Sequence, residues 1–251
     1  PIQNEIVKLL DNFTELTAEL TAELTAELAL RKKQYSFYRD SLLNFSQDNT
    51  EVEWKTLGEV ATDIFRGAGI KRSDVTEEGV PCVRYGEIYT NYGIWFDKCR
   101  SYTNEQKITS PKYFEYGDIL FAITGENIEE IAKSTAYVGF DRCLAGGDIV
   151  VLRHRQNPKY LSYVLSTEMA QKQKSKGKVK SKVVHSSIPS IKNIIVPIPP
   201  LEIQDYVVSI LDRFEFLCND LTSGLPAEIT ARKRQYEHYR DRLLTFPRSN
   251  G

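Results

Sequence analysis

The chain has 251 residues, 41% of them hydrophobic and 27% charged, with a formal net charge of −1. These values are typical of a globular protein that holds one sizeable domain and accessory helices, and they disfavour a general polyanion binder. No apolar run approaches the ~20 residues of a membrane helix, and the first residues lack a signal-peptide pattern. We therefore expect no membrane association.

The four cysteines are Cys82, Cys99, Cys143 and Cys218. They are widely spaced and include no C-x-x-C pair, which argues against a zinc site and against a disulfide framework. Inert thiols in a reducing cytoplasm are the expectation, so we predict a cytoplasmic protein.

Residues 1–46 are predicted to form a spacer helix. Leucines and other apolar residues recur at steps of three and four, and the intervening Ala and Glu favour helix. The predicted interface stripe contains Phe13, Leu16, Leu20, Leu24 and Leu28. Thr-Ala-Glu-Leu occurs three times in tandem at 17–28. Four residues turn a helix by about 400°, so each leucine is about 40° further round, and we interpret the exact repeats as a length element.

Residues 47–200 are predicted to form one α+β domain. Strand candidates at 80–85, 94–98, 118–123, 135–138 and 148–153 are rich in β-branched and aromatic residues and are separated by Gly, Pro and Asn. A short helix is expected from Trp54 to about Ile64. Another is expected at 158–173, started by Asn157 and Pro158, and a last strand at 191–198.

Residues 201–251 are predicted to form a second spacer helix and a tail. Its interface stripe includes Phe214, Leu217 and Leu221. Ser-Gly-Leu-Pro at 223–226 predicts a break or kink, because proline clashes with the preceding turn.

The two terminal helices carry the same sequence. Arg-Lys-Lys-Gln-Tyr at 31–35 matches Arg-Lys-Arg-Gln-Tyr at 232–236, and the offset of 201 positions holds without a gap upstream and downstream. Phe13, for example, falls on Phe214, and Tyr38 on Tyr239. Apolar periodicity does not require these polar matches, so the repeat predicts two equivalent helices that bracket a separate domain.

Several loops carry side chains that can contact DNA. The basic, glycine-bearing loop at 66–72 lacks the spacing of a nucleotide-binding phosphate loop, but Arg66, Lys71 and Arg72 are predicted DNA contacts. The other candidates are Arg84, Tyr85, Glu87, Tyr89 and Asn91, then Thr124, Glu126 and Asn127, and finally His185 and Ser186. Arg can bond guanine, Asn adenine and Glu the cytosine amino group, although each residue taken alone is more often a turn or surface residue.

A row of lysines occupies every second position near residue 177. The predicted phosphate contacts are Lys174, Lys176, Lys178, Lys180 and Lys182. If the segment beyond Gly177 is extended, its lysines project on one side and can meet successive phosphates. A solvated surface loop explains this row equally well.

The motifs of catalysis are missing from the sequence. No nucleophile–base set can be assembled from the three scattered histidines, and no Gly-x-Ser-x-Gly is present. Glu51, Glu53 and Lys55 resemble part of a nuclease set but have no paired strand carboxylate. We therefore predict no catalytic residue, no metal site and no bound cofactor.

The whole pattern resembles one half of a type I restriction–modification specificity subunit. The resemblance is carried by the Thr-Ala-Glu-Leu tandems, by Arg-Lys-Lys-Gln-Tyr followed by Tyr-Arg-Asp and Leu-Leu, by Glu-Trp-Lys-Thr-Leu-Gly-Glu at 53–59, and by Pro-Ile-Pro-Pro-Leu-Glu-Ile-Gln at 197–204. It covers essentially the full chain, while the interior of the middle domain is individual.

This resemblance implies a sequence-specific DNA-binding, non-catalytic subunit. Its recognition domain would read a half-site, and its helices would set half-site spacing and dock modification subunits, which carry S-adenosylmethionine, and restriction subunits. The family has two recognition domains and this chain has one. It is therefore expected to be a fragment of a longer subunit or a half-subunit that forms a homodimer. The alternative is a helical scaffold whose middle domain binds a protein or a small ligand.

Overall fold

The computed structural model describes residues 2–46, 51–126, 128, 130–176, 184–219 and 224–245. Within it the chain divides into two compact units. The helical unit comprises Pro1–Arg39 and Ser209–Gly251, and the recognition unit comprises Asp40–Val208.

The helices and strands are as follows. The helices are α1 (Ile2–Leu42), α2 (Leu57–Val60), α3 (Tyr85–Thr90), α4 (Pro158–Leu165), α5 (Glu168–Ser175), α6 (Ile188–Lys192), α7 (Leu201–Asn219) and α8 (Leu225–Leu244). The strands are β1 (Glu53–Thr56), β2 (Asp63–Arg66), β3 (Val75–Thr76), β4 (Val80–Val83), β5 (Trp95–Phe96), β6 (Ser101–Thr103), β7 (Tyr113–Phe114), β8 (Ile119–Ala122), β9 (Thr124–Gly125), β10 (Ser134–Tyr137), β11 (Cys143–Ala145), β12 (Ile149–Arg153), β13 (Val184–His185) and β14 (Ile195–Ile198).

Two five-stranded sheets enclose the core of the recognition unit. Their strand orders are β2-β12-β8-β10-β5 and β3-β6-β4-β11-β7. Fully buried residues of the first sheet, such as Leu120 and Val151, share one apolar cluster with Val83 and Phe114 of the second. Two-stranded pairs, β1-β14 and β13-β9, complete the described strands. The α+β prediction is confirmed.

Local capping explains where the predicted elements differ from the observed ones. The helix expected from Trp54 is instead strand β1, paired antiparallel with β14, followed by α2, which Thr56 and Glu59 cap reciprocally. The helix expected at 158–173 begins at Asn157 and Pro158 as predicted but is split, because Thr167 caps a new helix. The strand expected from 191 begins only at Ile195, since Ser187 caps α6.

The predicted leucine stripe of α1 is partly wrong. Leu24 and Leu28 are half-buried, whereas 62% of Leu16 and 37% of Leu20 is exposed. Three tetrads rotate a leucine by about 120°, so leucines at four-residue steps cannot all lie on one face of a straight helix. The described residues that turn inward at steps of three or four are Ile6, Leu10, Phe13, Thr17, Thr21, Leu24, Leu28 and Arg31.

The second spacer comprises two helices, α7 and α8. Pro226 lies in the first turn of α8, where its missing N–H costs nothing, and Gly224 is the residue before that helix. Phe214 and Leu217 on α7 are half-buried. The third predicted interface residue of this spacer, Leu221, lies outside the described residues.

Candidate nucleic-acid interface

Three segments of the recognition unit meet at one edge of the first sheet. Strand β2 ends at Arg66 opposite Val150, near the start of β12. Strand β8 ends at Ala122 opposite Ile149, the first residue of β12. The loops that follow β2 and β8 and the loop that precedes β12 therefore share this edge.

Glycines allow the basic loop to approach the chain before β12. The amide of Gly67 donates to Ile149 O at 2.9 Å, and that of Ala68 donates to Ala145 O at 2.9 Å. A Cβ atom on Gly67 would lie 2.2 Å from Gly146 O, which real Cβ atoms do not approach. Only glycine fits at this position, because the two backbones are in direct contact.

A cleft of about 790 Å³ opens at this edge. Among its lining residues are seven of the predicted DNA contacts, namely Arg66, Lys71, Arg72, Arg84, Tyr85, Glu87 and Asn91. These residues come from the basic loop and from the start and end of α3. The structure thus brings two separately predicted groups together.

The carboxylates that line the cleft are engaged within the protein. Asp148 accepts from Arg66 at 2.6 Å, and Arg66 Nε also donates to Gly147 O. Glu87 is buried, accepts from the amide of Arg84 at 2.7 Å and accepts from the hydroxyl of Ser101. Glu87 was predicted to read a base, and this is corrected, because its carboxylate caps α3 and faces inward.

Arg84 differs from Arg66 in its bonding. Its backbone is extended, with φ −105° and ψ 153°, and precedes the first turn of α3. Its Nε atom is buried and has no hydrogen-bond acceptor in the described part of the chain. A buried donor without an acceptor costs about 1–3 kcal/mol, and the described residues leave the Arg84 Nε–H unsatisfied.

The second and third loop groups also meet each other. Strands β9 and β13 pair antiparallel, with Thr124 opposite His185, and the Thr124 hydroxyl is hydrogen-bonded to His185 Nδ1 at 3.2 Å. Both lie at the edge described above, because the amide of Ile123 donates to Asp148 O at 3.0 Å. His185 and Glu126 are exposed, and Asn127 lies outside the described residues.

Two predicted base contacts serve the framework instead. Ser186 is buried and its amide donates to Ile123 O at 2.8 Å. Tyr89 packs against the core, with its hydroxyl 3.5 Å from Ala122 O, and burial raises the pKa of Tyr89 to about 12. These side chains are corrected to supporting positions, since neither faces the cleft.

The lysine row is not continuous. Lys174 is 4% exposed and donates to Leu165 O at 2.7 Å, and burial lowers its pKa to about 7. The prediction that Lys174 contacts phosphate is corrected, because helix α5 turns it into the interior. Lys176 is exposed at the end of α5, whereas Lys178, Lys180 and Lys182 lie outside the described residues.

Sequence reasoning missed the residues that complete the cleft. Gly146, Gly147 and Asp148 also line it, in direct contact with the basic loop. The Gly-Gly pair marks a turn, and this signal could have identified the segment. Its position against residues 66–69 depends on the pairing of β12 with β2, which the sequence does not display.

Two aromatic stacks in the helical unit are the same contact made twice. Phe13 stacks on Tyr239 with ring centroids 6.1 Å apart, and Tyr38 stacks on Phe214 at 5.5 Å. Phe214 is the repeat counterpart of Phe13, and Tyr239 is that of Tyr38. Helix α1 and the α7–α8 segment therefore contact each other through the same two rings twice, with the order of the rings reversed between them. This is the arrangement of antiparallel partners related by a local two-fold axis. The predicted antiparallel pairing is confirmed.

The same two-fold relation applies to a second pair of contacts between the repeated segments. The hydroxyls of Tyr236 and Thr14 are 2.9 Å apart. The counterparts of these two residues are Tyr35 and Glu215. Burial and the neighbouring Glu215 carboxylate raise the pKa of Tyr35, which is 8% exposed. Sequence reasoning missed Tyr35 as a buried residue of this interface.

The described residues contain no group of histidine, cysteine or acidic side chains able to hold a metal ion. No helix in the described ranges is long and apolar enough to cross a bilayer. All four cysteines are free.

The described residues thus comprise a unit of antiparallel paired helices and an α+β unit with a cationic cleft. A family model described as the type I restriction modification DNA specificity domain matches residues 49–231. The chain belongs to this family, as the resemblance implied.

Relatives differ in how much of their length the chain spans. It is 33% identical over 252 residues to the EcoR124I/EcoR124II specificity subunit of Escherichia coli, covering 98% of this chain and 60% of that protein. It is 31% identical to the putative specificity subunit S.MpnORF201P of Mycoplasma pneumoniae, covering 98% and 92%. The crystal structure of the HsdS subunit from Thermoanaerobacter tengcongensis has a TM-score of 0.59 at 18% identity, covering 97% of this chain and 57% of that one.

Proposed function

We propose that the chain is a specificity component of a type I restriction–modification complex whose recognition unit reads a DNA half-site. The observation that carries this proposal is the convergence of loops at one sheet edge, where the cleft and the Thr124–His185 pair share the neighbourhood of Asp148. Exposed Lys71 and Arg72 supply positive charge there. Family membership and specificity-subunit relatives support the same function.

The proposed mechanism is recognition without chemistry by this chain. Phosphate contacts fix register and orientation, while hydrogen bonds to base edges provide specificity. Modification subunits, docked on the helical unit, supply S-adenosylmethionine and methyl transfer, and restriction subunits join the same assembly. The free cysteines fit a reducing cytoplasm as the site of action.

The helices are proposed to set the distance between two half-sites. The duplicated ring stacks support association of two copies. Helix α1 stacks Phe13 on Tyr239 of α8 and Tyr38 on Phe214 of α7, and the same stacks can form between the helices of two copies. A two-fold homodimer would then hold two recognition units in inverted orientation. Light scattering with the modification subunit present tests this, and a single copy of this chain per complex would contradict it.

Selection of bound duplexes from random DNA, with modification subunit present, tests DNA reading itself. We expect an enriched half-site, and an inverted, interrupted pair of half-sites for the homodimer. Affinity should fall steeply with salt, because several phosphate contacts release counterions. Salt-independent binding with no enriched sequence would favour the helical scaffold that binds a protein or small ligand.

A further inference from the structure

The charged side chains that line the cleft differ in whether they form ion pairs or hydrogen bonds within the protein. Both acidic side chains in its lining, Asp148 and Glu87, accept hydrogen bonds from other lining or neighbouring residues. Asp148 neutralises Arg66. Lys71, Arg72 and Arg84 have no ion pair with any described residue of the chain, so the cleft retains uncompensated positive charge.

The three uncommitted cations lie at different depths. Lys71 and Arg72 are exposed, whereas Arg84 is half-buried and its Nε atom is fully enclosed. The capping bond from the Arg84 amide to Glu87, at 2.7 Å, fixes the point where the side chain enters the cleft. The backbone position from which this guanidinium extends is thus set before any ligand binds.

A recessed guanidinium suits a phosphate better than a base edge. Base reading in the major groove requires a side chain that projects from the protein surface into the groove. A phosphate projects from the duplex, can enter a concave site, and matches the planar donor fork of arginine with two parallel hydrogen bonds. The cleft, at about 790 Å³, is large enough to admit one nucleotide's phosphate and sugar.

We propose that this cleft is an anchoring site for one backbone phosphate of the DNA, with Arg84 as its bidentate partner and Lys71 and Arg72 at the rim. This inference rests on the proposed function. It assigns base discrimination to the neighbouring Thr124–His185 pair and exposed Glu126, and it removes Arg84 from the base-reading set. The chemical class of the ligand is a phosphodiester.

The test compares Arg84→Gln with wild type in the complex with modification subunit, over a salt series and a panel of single-base variants of the selected duplex. Arg84→Gln should weaken every duplex by a similar factor, about tenfold, and reduce the salt slope by about one phosphate contact. The enriched sequence should not change. Thr124→Val is the matched variant, and it should alter sequence preference while leaving the salt slope in place.

A direct probe needs no duplex. Methyl phosphate should shift the nuclear magnetic resonance signals of the Arg84 guanidinium N–H groups in the wild-type chain, and those signals should be absent in Arg84→Gln. If Arg84→Gln lowers the melting temperature, the Arg84→Lys variant is tested in its place. Because lysine keeps the charge but lacks the planar donor fork, its DNA affinity should be weaker than that of wild type and its salt slope unchanged.

The outcomes separate this inference from the proposed function. If Arg84→Gln relaxes preference at one base pair and leaves the salt slope unchanged, Arg84 reads a base and the phosphate proposal is overturned, while DNA reading stands. If the wild-type complex enriches no sequence, the proposed function itself fails.

Discussion

Replacing Gly67 with alanine perturbs the contact on which the cleft depends. The added Cβ would lie 2.2 Å from Gly146 O and 2.5 Å from Ala145 O, where ordinary contacts begin at 3.4 Å. The difference, 3.4 − 2.2 = 1.2 Å, is the separation that the two backbone segments must find. Neither neighbour is a flexible side-chain tip, so we expect a cost of about 1–3 kcal/mol, typical of overpacking. For a domain of this size that corresponds to a fall in melting temperature of roughly 2–12 °C.

The assay is thermal unfolding followed by circular dichroism, together with DNA affinity of the complex. Gly69→Ala is the matched control, because a Cβ there meets nothing within 4 Å. The control should melt within about 1 °C of wild type. A Gly67→Ala protein that melts and binds DNA like wild type would show that the close approach does not shape the cleft.

Three further predictions concern the interior, the helix pair and the spacer. Burial depresses the pKa of Lys174 from 10.5 to about 7, so the folded state binds fewer protons than the unfolded state between these values. In that window the unfolding free energy of the wild type should rise, relative to that of Lys174→Met, by up to about 1.4 kcal/mol per pH unit. Urea unfolding of both proteins at several pH values measures this. A difference in unfolding free energy that does not change with pH would refute the prediction. Tyr38→Ala and Tyr239→Ala should lower the unfolding free energy by similar amounts, because each removes one copy of the same stack. The loss of ring stacking should cost about 0.5–1.5 kcal/mol in addition to the loss of buried apolar area. A cost seen in only one of the two variants by urea unfolding would contradict the duplication. Deleting residues 21–24 removes about 6 Å of helix and should shorten the preferred gap by one or two base pairs in a selection assay, whereas an unchanged gap would count against the spacer.

Much of the candidate site was predictable because basic and polar residues in predicted loops can be identified directly from the sequence. Arg66, Lys71, Arg72 and Arg84 were identified from basic and polar residues between strands, and all four line the cleft. Burial was harder to predict. Lys174 looked like one member of an exposed row, yet the rotation of α5 points it inward against Leu165 O.

Helix orientation shows the same limit. The evenly spaced leucines at 16, 20, 24 and 28 were predicted to form one interface stripe, although each lies about 40° further round the helix than the last. A helix has 3.6 residues per turn, so four-residue steps drift steadily round its axis. Thr17 and Thr21 are then half-buried, while Leu16 remains exposed.

The sequence by itself determined the family resemblance, the presence of two matching helical segments, and the loops proposed to contact DNA, because repeats, helix-forming residues and turn residues are local properties of the chain. Only the tertiary structure decided which of those loops share one cleft and which carboxylates are already engaged. The pairing of β12 with both β2 and β8 joins residues more than eighty positions apart in one case, and no local pattern encodes that register. Close contact between Gly67 and Gly146 is a consequence of that register, and so is the position of the cationic cleft.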